Sequence, residues 1–200
     1  SWFLAHKQDY EAHLLAPTRA LGEQVYEALH AAFPKEPFLL KLSRIYRDAR
    51  RLHGNGPYKD HLWFCVRAGG EDWTGRPTFY FEIGPDYYSY GMGFWAPKAA
   101  LMEAYRKAVD EHPEVLEKLV KRFNKQAQFT LSGPEYARKK TAPSPLLAAW
   151  YNKKSINLQH DAAPDERMFS QELAQDIIEG FRTLMPLYKY FDALCAAEMV

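Results

Sequence analysis

Three apolar stretches, residues 62–67, 78–83 and 87–95, follow one another with only tight turns between them. Gly69-Gly70 and Gly75-Arg76-Pro77 punctuate the chain after the first, and Gly84-Pro85 after the second. Successive strands joined by short turns pair as an antiparallel meander. The third stretch is weakened as a strand by Gly91 and Gly93.

Helical patterning flanks this segment. Residues 2–15 read as a helix limited by Pro17. Leu21, Val25, Ala28, Leu29 and Ala32 then form an apolar stripe at helical spacing, ended by Pro34 and Pro37. Residues 42–49 alternate. Leu42, Arg44, Tyr46 and Asp48 share one face of an expected strand, and Ser43, Ile45, Arg47 and Ala49 the other. After the meander, Pro97 opens a helix with the stripe Leu101, Tyr105, Ala108 and Val109. Pro113 opens another with Leu116, Leu119, Val120 and Phe123. Short strands are expected at residues 129–131 and 155–159, with a surface loop over 132–147. Ser170 caps a helix carrying Leu173, Ile177, Phe181 and Leu184, and Pro186 is expected to separate it from a last one with Tyr190, Phe191 and Leu194. Helices, then strands, then helices predict an α+β fold, with an antiparallel sheet against which flanking helices pack. No repeat, low-complexity tract or linker divides the 200 residues, which read as one domain.

With 47% hydrophobic residues, a chain of this length can bury a core without metals or disulfides. No apolar run approaches the length of a membrane span, and the opening residues lack the basic-then-apolar pattern of a secretion signal. Because the chain starts on Ser1 and an aromatic pair, we expect residues to precede it. Cys65 and Cys195 are too few and too far apart for a disulfide framework or zinc site, and a reducing compartment, the cytoplasm, is expected.

The net charge of +1 does not indicate a general polyanion binder, but its distribution is uneven. Between Lys41 and His61 stand six cations (Lys41, Arg44, Arg47, Arg50, Arg51, Lys59) against Asp48 and Asp60, a local excess of four. Guanidinium forks suit phosphates and carboxylates. Arg44, Arg47, Asp48, Arg50, Tyr58 and Lys59 are therefore the candidate ligand site, for a small phosphorylated or carboxylated ligand. The arginines would hold the anion, Tyr58 and Lys59 would close over it, and Asp48 would orient an arginine or act as a base. Two other readings compete. One is a nucleic-acid module that stacks bases on tyrosine and tryptophan. The other is a non-catalytic protein whose arginines form an internal network.

The string Arg44-x-x-Arg47-Asp48-x-Arg50, followed after a loop by Pro57-Tyr58-Lys59, resembles the signature of an uncharacterised bacterial family, domain of unknown function 2461. Trp2-Phe3 with His6-Lys7 and Tyr10, and Gly91-Met92-Gly93-Phe94-Trp95-Ala96-Pro97, are similar to further parts of that family. The resemblance implies a shared fold and a shared site around the same arginines, Asp48, Tyr58 and Lys59, and it implies no reaction. The chain departs from the pattern at Arg51, where the family has Phe, and at Gly54-Asn55, where it has an Asp/Asn-Lys pair.

The remaining polar residues carry weaker signals. Tyr80, Tyr87, Tyr88, Tyr90 and Trp95 can form a stacking surface for bases or sugars, but packing against helices is the expectation. Alternation puts Glu82 with Tyr80, facing solvent or an arginine of the motif. His6, His13, His53 and His61 lack partners at metal-ligand spacing, and His160-Asp161 reads as a turn. No metal or cofactor is expected. Gly91-x-Gly93 lacks the third glycine of a dinucleotide loop, and no phosphate loop, zinc-protease helix or nucleophile elbow is present.

Overall fold

The computed structural model describes residues 2–48, 50, 56–70 and 73–197. The expected meander is present as β2 (Leu62–Ala68), β3 (Pro77–Ile83) and β4 (Tyr88–Phe94), each antiparallel to the next. Three more strands complete a six-stranded sheet: β1 (Phe38–Leu42), β5 (Thr130–Ser132) and β6 (Asn157–Ala162). The order is β1-β2-β3-β4-β6-β5 and every pairing is antiparallel.

The period of two divides the strand residues cleanly. Phe38, Phe64, Val66, Phe79, Phe81, Tyr88, Tyr90, Met92, Phe94 and Leu158 point to one face and join the buried core cluster. Leu39, Lys41, Trp63, Arg67, Tyr80 and Glu82 alternate with them on the opposite face, and no strand residue of the core cluster comes from that set. The helices α3 (Ala16–Ala32), α4 (Ala99–Glu111), α5 (Pro113–Phe123) and α7 (Gln171–Ala197), numbered along the chain after the short α1 (Trp2–Ala5) and α2 (Lys7–Tyr10), supply the other side of the core. The short α6 (Ala148–Tyr151) adds Trp150, which meets Phe123 edge-on at 5.3 Å. At the centre, the fully buried ring of Phe79 stacks on Phe181 at 4.7 Å and on Tyr188 at 4.9 Å. Burying a ring of this size stabilises the fold by about 2–3 kcal/mol.

Two prolines do not break helices as expected. A π turn, Glu11–Leu15, precedes Pro17, and the Ala16 N–H closes it on the Glu11 carbonyl. Widening by one residue there puts Pro17 in the first turn of α3, where its missing N–H is tolerated. Pro186 lies inside the 27-residue α7. Arg182, four residues back, is exposed, so water can take the carbonyl that Pro186 releases. Met185, Leu187 and Tyr188 are buried around it and hold the helix in place. The expected strand over residues 42–49 is also displaced. The apolar run Phe38–Leu42 is the strand, because only that register turns Phe38, Leu40 and Leu42 to the core. From Ser43 the chain leaves the sheet. Ser170 caps α7 as expected, its Oγ accepting from the Glu172 N–H at 3.2 Å.

Gly133, after β5, has φ +107°, and a Cβ there would lie 2.1 Å from the Ser155 carbonyl oxygen. Gly133→Ala is therefore expected to cost about 2 kcal/mol or more, read as a lowered urea midpoint with unchanged slope.

Burial pushes Tyr80 and Tyr190 up to about 12, and also raises Tyr105 and Tyr188. Tyrosines in the unfolded chain ionise near 10. The unfolded state thus sheds these protons first. The stability they contribute is intact below about pH 10 and is lost as pH rises through their folded values. Urea midpoints measured from pH 9 to 11.5 should fall, with phenolate absorbance lagging in the folded protein. A midpoint flat across that range would contradict the burial of these four rings.

Candidate functional site

The arginine motif builds an arm beside the sheet. The Arg47 N–H donates to the Pro57 carbonyl and the Lys59 N–H to the Ile45 carbonyl, each at 2.8 Å, and Tyr46 and Tyr58 form an isolated antiparallel bridge. Side chains reinforce this ladder. Arg47 Nε donates to the Tyr58 carbonyl at 2.7 Å, and its Nη2 lies 3.6 Å from Asp60. The N-terminal helices brace the arm from outside. Phe3 lies 4.2 Å from the Tyr58 ring, 5.6 Å from Tyr10 and 6.5 Å from Tyr46.

The motif residues separate into three roles. Arg47 is half-buried and spends its fork on the arm itself. Asp48 binds Arg50 through both carboxylate oxygens, at 3.0 and 2.8 Å, and also accepts the Arg50 N–H. The Arg50 side chain is otherwise 87% exposed. Arg44 and Lys59 form the third group. Lys59 Nζ donates to the Arg44 carbonyl at 2.7 Å and lies 5.7 Å from the centre of the Trp63 ring. The Arg44 guanidinium is exposed and makes no ion pair or hydrogen bond among the described residues.

The electrostatics of Lys59 record this crowding of cations. Burial lowers its pKa from the ordinary lysine value, Arg44 and Arg47 lower it further, and Glu82 alone works against them. Glu82 sits with Tyr80 on the face opposite the core, as alternation predicts, and accepts a 2.5 Å hydrogen bond from the Tyr87 hydroxyl. Burial, then Glu82, raise the Tyr87 pKa strongly. Trp63 pairs with Glu82 across β2 and β3. Arg44, Lys59, Trp63, Glu82 and Tyr87 are thus one neighbourhood at the rim of the sheet face opposite the core. The tyrosines divide between the two faces: Tyr88 and Tyr90 pack toward the helices, while Tyr80 and Tyr87 do not. Arg51, His53, Gly54 and Asn55 lie outside the described residues.

A concavity that the sequence reading passed over lies on the helical side. His160 is a strand residue of β6 rather than part of a turn, and lines a cleft of about 460 Å³ with Tyr88, Tyr90, Gln128, Asp165, Arg167, Asp176 and Glu179. The only trace of it in the sequence is the alternation Leu158, His160, Ala162, which puts the histidine on the core face. Among the described residues, no three His, Cys, Asp or Glu side chains gather as a metal set.

Because Arg47 is a half-buried charged donor to a backbone carbonyl, Arg47→Ala should lower stability by about 1–2 kcal/mol in urea unfolding. Arg50→Ala, which removes a solvated local pair, should leave the urea midpoint unchanged.

A search of curated proteins found no relative of significant similarity. Residues 1–190, nearly the whole chain, match the family described as "Conserved hypothetical protein (DUF2461)". The span of that match covers the arm, the sheet and most of α7, and the chain belongs to the DUF2461 family of conserved hypothetical proteins.

Proposed function

We propose that this protein binds a small anionic ligand, phosphorylated or carboxylated, against Arg44 and Lys59. The observation that carries the reading is the placing of Lys59, whose ammonium lies against the Arg44 carbonyl at 2.7 Å and over the Trp63 ring at 5.7 Å. Its ammonium is desolvated and crowded by two guanidinium groups, with one opposing acid in range. Such an arrangement is unfavourable when empty and is relieved by a ligand that brings negative charge. Arg44 adds an exposed fork suited to phosphate or carboxylate, and the Trp63 ring under Lys59 adds an apolar wall. In this reading Arg47 and Tyr58 position the arm that carries Lys59, and Asp48 orients Arg50. The internal-network reading is thereby confined to Arg47 and to the Asp48–Arg50 pair, whose forks are already occupied.

No helix among the described residues is long and apolar enough to cross a membrane. Cys65 and Cys195 are free and buried. Burial raises both thiols, to about 11 and about 12, so neither is an activated nucleophile. Two unpaired thiols suit a reducing compartment, and we infer a bacterial cytoplasm.

The test is thermal stabilisation by inorganic phosphate, pyrophosphate and citrate at constant ionic strength. Saturable stabilisation by at least one of them is expected, and is expected to be lost in Arg44→Ala and in Lys59→Ala. Because the Lys59 pKa is depressed, the ammonium loses its proton below the ordinary lysine range. Stabilisation should therefore weaken as pH rises toward 10.5 in the native protein and persist in Lys59→Arg. Stabilisation that survives both alanine variants would remove the site. Binding only to single-stranded RNA or DNA, falling steeply with salt, would replace this reading with the nucleic-acid one.

A further inference from the structure

The chain between β5 and α6 carries a charge excess separate from the arginine arm. Residues 132–154 hold Arg138, Lys139, Lys140, Lys153 and Lys154 against a single acid, Glu135. The two ends of this stretch form a short antiparallel ladder. Glu135 bridges to Lys153, the Tyr136 N–H donates to the Asn152 carbonyl at 3.0 Å, and the Lys154 N–H donates to the Pro134 carbonyl at 2.7 Å. The buried Asn152 side chain pins the chain further along. Its Oδ1 accepts the Lys140 N–H at 2.9 Å and its Nδ2 donates to the Lys140 carbonyl at 3.1 Å. These cations therefore stand on a backbone held in place.

Glu135 is already committed. It pairs with Lys139 at 3.0 Å and with Lys153 at 3.1 Å. Arg138, Lys140 and Lys154 are exposed and form no ion pair among the described residues. Exposed cations alone are a solvated surface and mark no site.

What distinguishes this surface is Arg106 on α4, which is only 8% exposed. Its guanidinium carbon lies 4.7 Å from the centre of the Tyr136 ring, and Lys154 Nζ lies 5.7 Å from the same centre. Arg106 Nη1 is buried without a hydrogen-bond partner, and the residue forms no ion pair among the described residues. Asp110, one turn on along α4, accepts instead from the Tyr151 hydroxyl at 2.9 Å. A buried guanidinium is ordinarily bonded to carboxylates or carbonyls, which replace the water it has lost. Here an aromatic ring stands in for part of that water, and a second cation shares the ring.

We infer that this ladder is a second anion site, which takes the phosphoryl group of a small ligand at the Tyr136 ring flanked by Arg106 and Lys154. A phosphoryl dianion matches the two charges, whereas a single carboxylate would leave one of them uncompensated. Nucleic acid is a poorer match. Trp150 and Tyr151 are buried and Tyr136 is occupied by cations, so these rings leave no open face for a base to stack on. The site shares no residue with Arg44 and Lys59, and neither reading rests on the other.

The full chain would be titrated with inorganic pyrophosphate against sodium chloride at matched ionic strength, with backbone amide chemical shifts and melting temperature recorded. Saturable shifts at residues 105–107, 135–140 and 152–154 are expected, read separately from any at 44–47 and 57–61. Lys154→Ala, on an exposed side chain, keeps the fold and should weaken the apparent affinity at those residues at least fivefold. Arg106→Gln should do the same, and Arg106→Lys should restore part of the loss. Arg182→Ala, which removes one exposed cation from α7, should leave the affinity unchanged. No saturable shift at these residues, full affinity in Lys154→Ala, or an equal loss in Arg182→Ala would each overturn the proposal. Binding of a single-stranded oligonucleotide there without binding of pyrophosphate would also overturn it, in favour of a nucleic-acid surface.

Discussion

The stack of Phe79 between Phe181 and Tyr188 is the contact on which this architecture turns. It fastens the third strand of the sheet to the longest helix from one side only. Every strand residue in the core cluster lies on that side. A six-stranded antiparallel sheet covered on one face leaves its other face to polar and aromatic side chains, and antiparallel sheets tolerate this arrangement. Trp63, Arg67, Tyr80 and Glu82 occupy it, and the arginine arm stands at its rim. The position of the candidate anion site therefore follows from one-sided packing: a chain that buried both faces would have had no rim on which to hold Lys59 between cations.

Most of the fold is legible from the sequence because its signals are local. Turn residues at Gly69-Gly70, Gly75 to Pro77 and Gly84-Pro85 fix the meander to within a residue at each strand end. Pro97, Pro113 and Ser170 mark three helix starts within two residues. The failures share a physical cause. Pro17 and Pro186 are breakers by intrinsic preference. A widened turn accommodates the first, and buried neighbours with an exposed residue one turn back accommodate the second. Tertiary packing outweighs local preference in both cases, and no window of sequence contains it.

The candidate site was legible in composition but not in geometry. An excess of arginine between Lys41 and His61 is visible at once. Arg50 is paired locally with Asp48, but Arg47 and Lys59 are set by partners eleven and fifteen residues away. Arg47 is committed by the Tyr58 carbonyl, and Lys59 by the Arg44 carbonyl. Alternation suggested that Arg44, Asp48 and Arg50 share a strand face. The chain leaves the sheet at Ser43 instead, so that face does not exist, and the ladder with residues 57–59 decides which cations converge. His160 illustrates the converse. Two residues in sequence, His160-Asp161, look like a turn. The pairing of Tyr90 with His160 across β4 and β6 turns the ring to the core side, the face on which the alternation Leu158, His160, Ala162 also places it.

The near-zero total charge conceals a segregation that the fold creates. The cations gather where β1 ends and β2 begins. The acids Asp165, Asp176 and Glu179 gather at the opposite flank of the sheet, where β6 runs out and α7 starts. Neither group neutralises the other, because the sheet and its core lie between them and solvent screens charges separated by more than about 8–10 Å. Folding has instead paired each group locally: Arg47 with Asp60 and Arg50 with Asp48 on one side, Arg167 with Asp176 and Arg182 with Glu179 on the other. The groups left over after that pairing are of opposite sign at the two flanks, Arg44 and Lys59 at one and Asp165 at the other. A chain with a net charge of +1 thus keeps an exposed guanidinium at one flank of its sheet and carboxylates at the other.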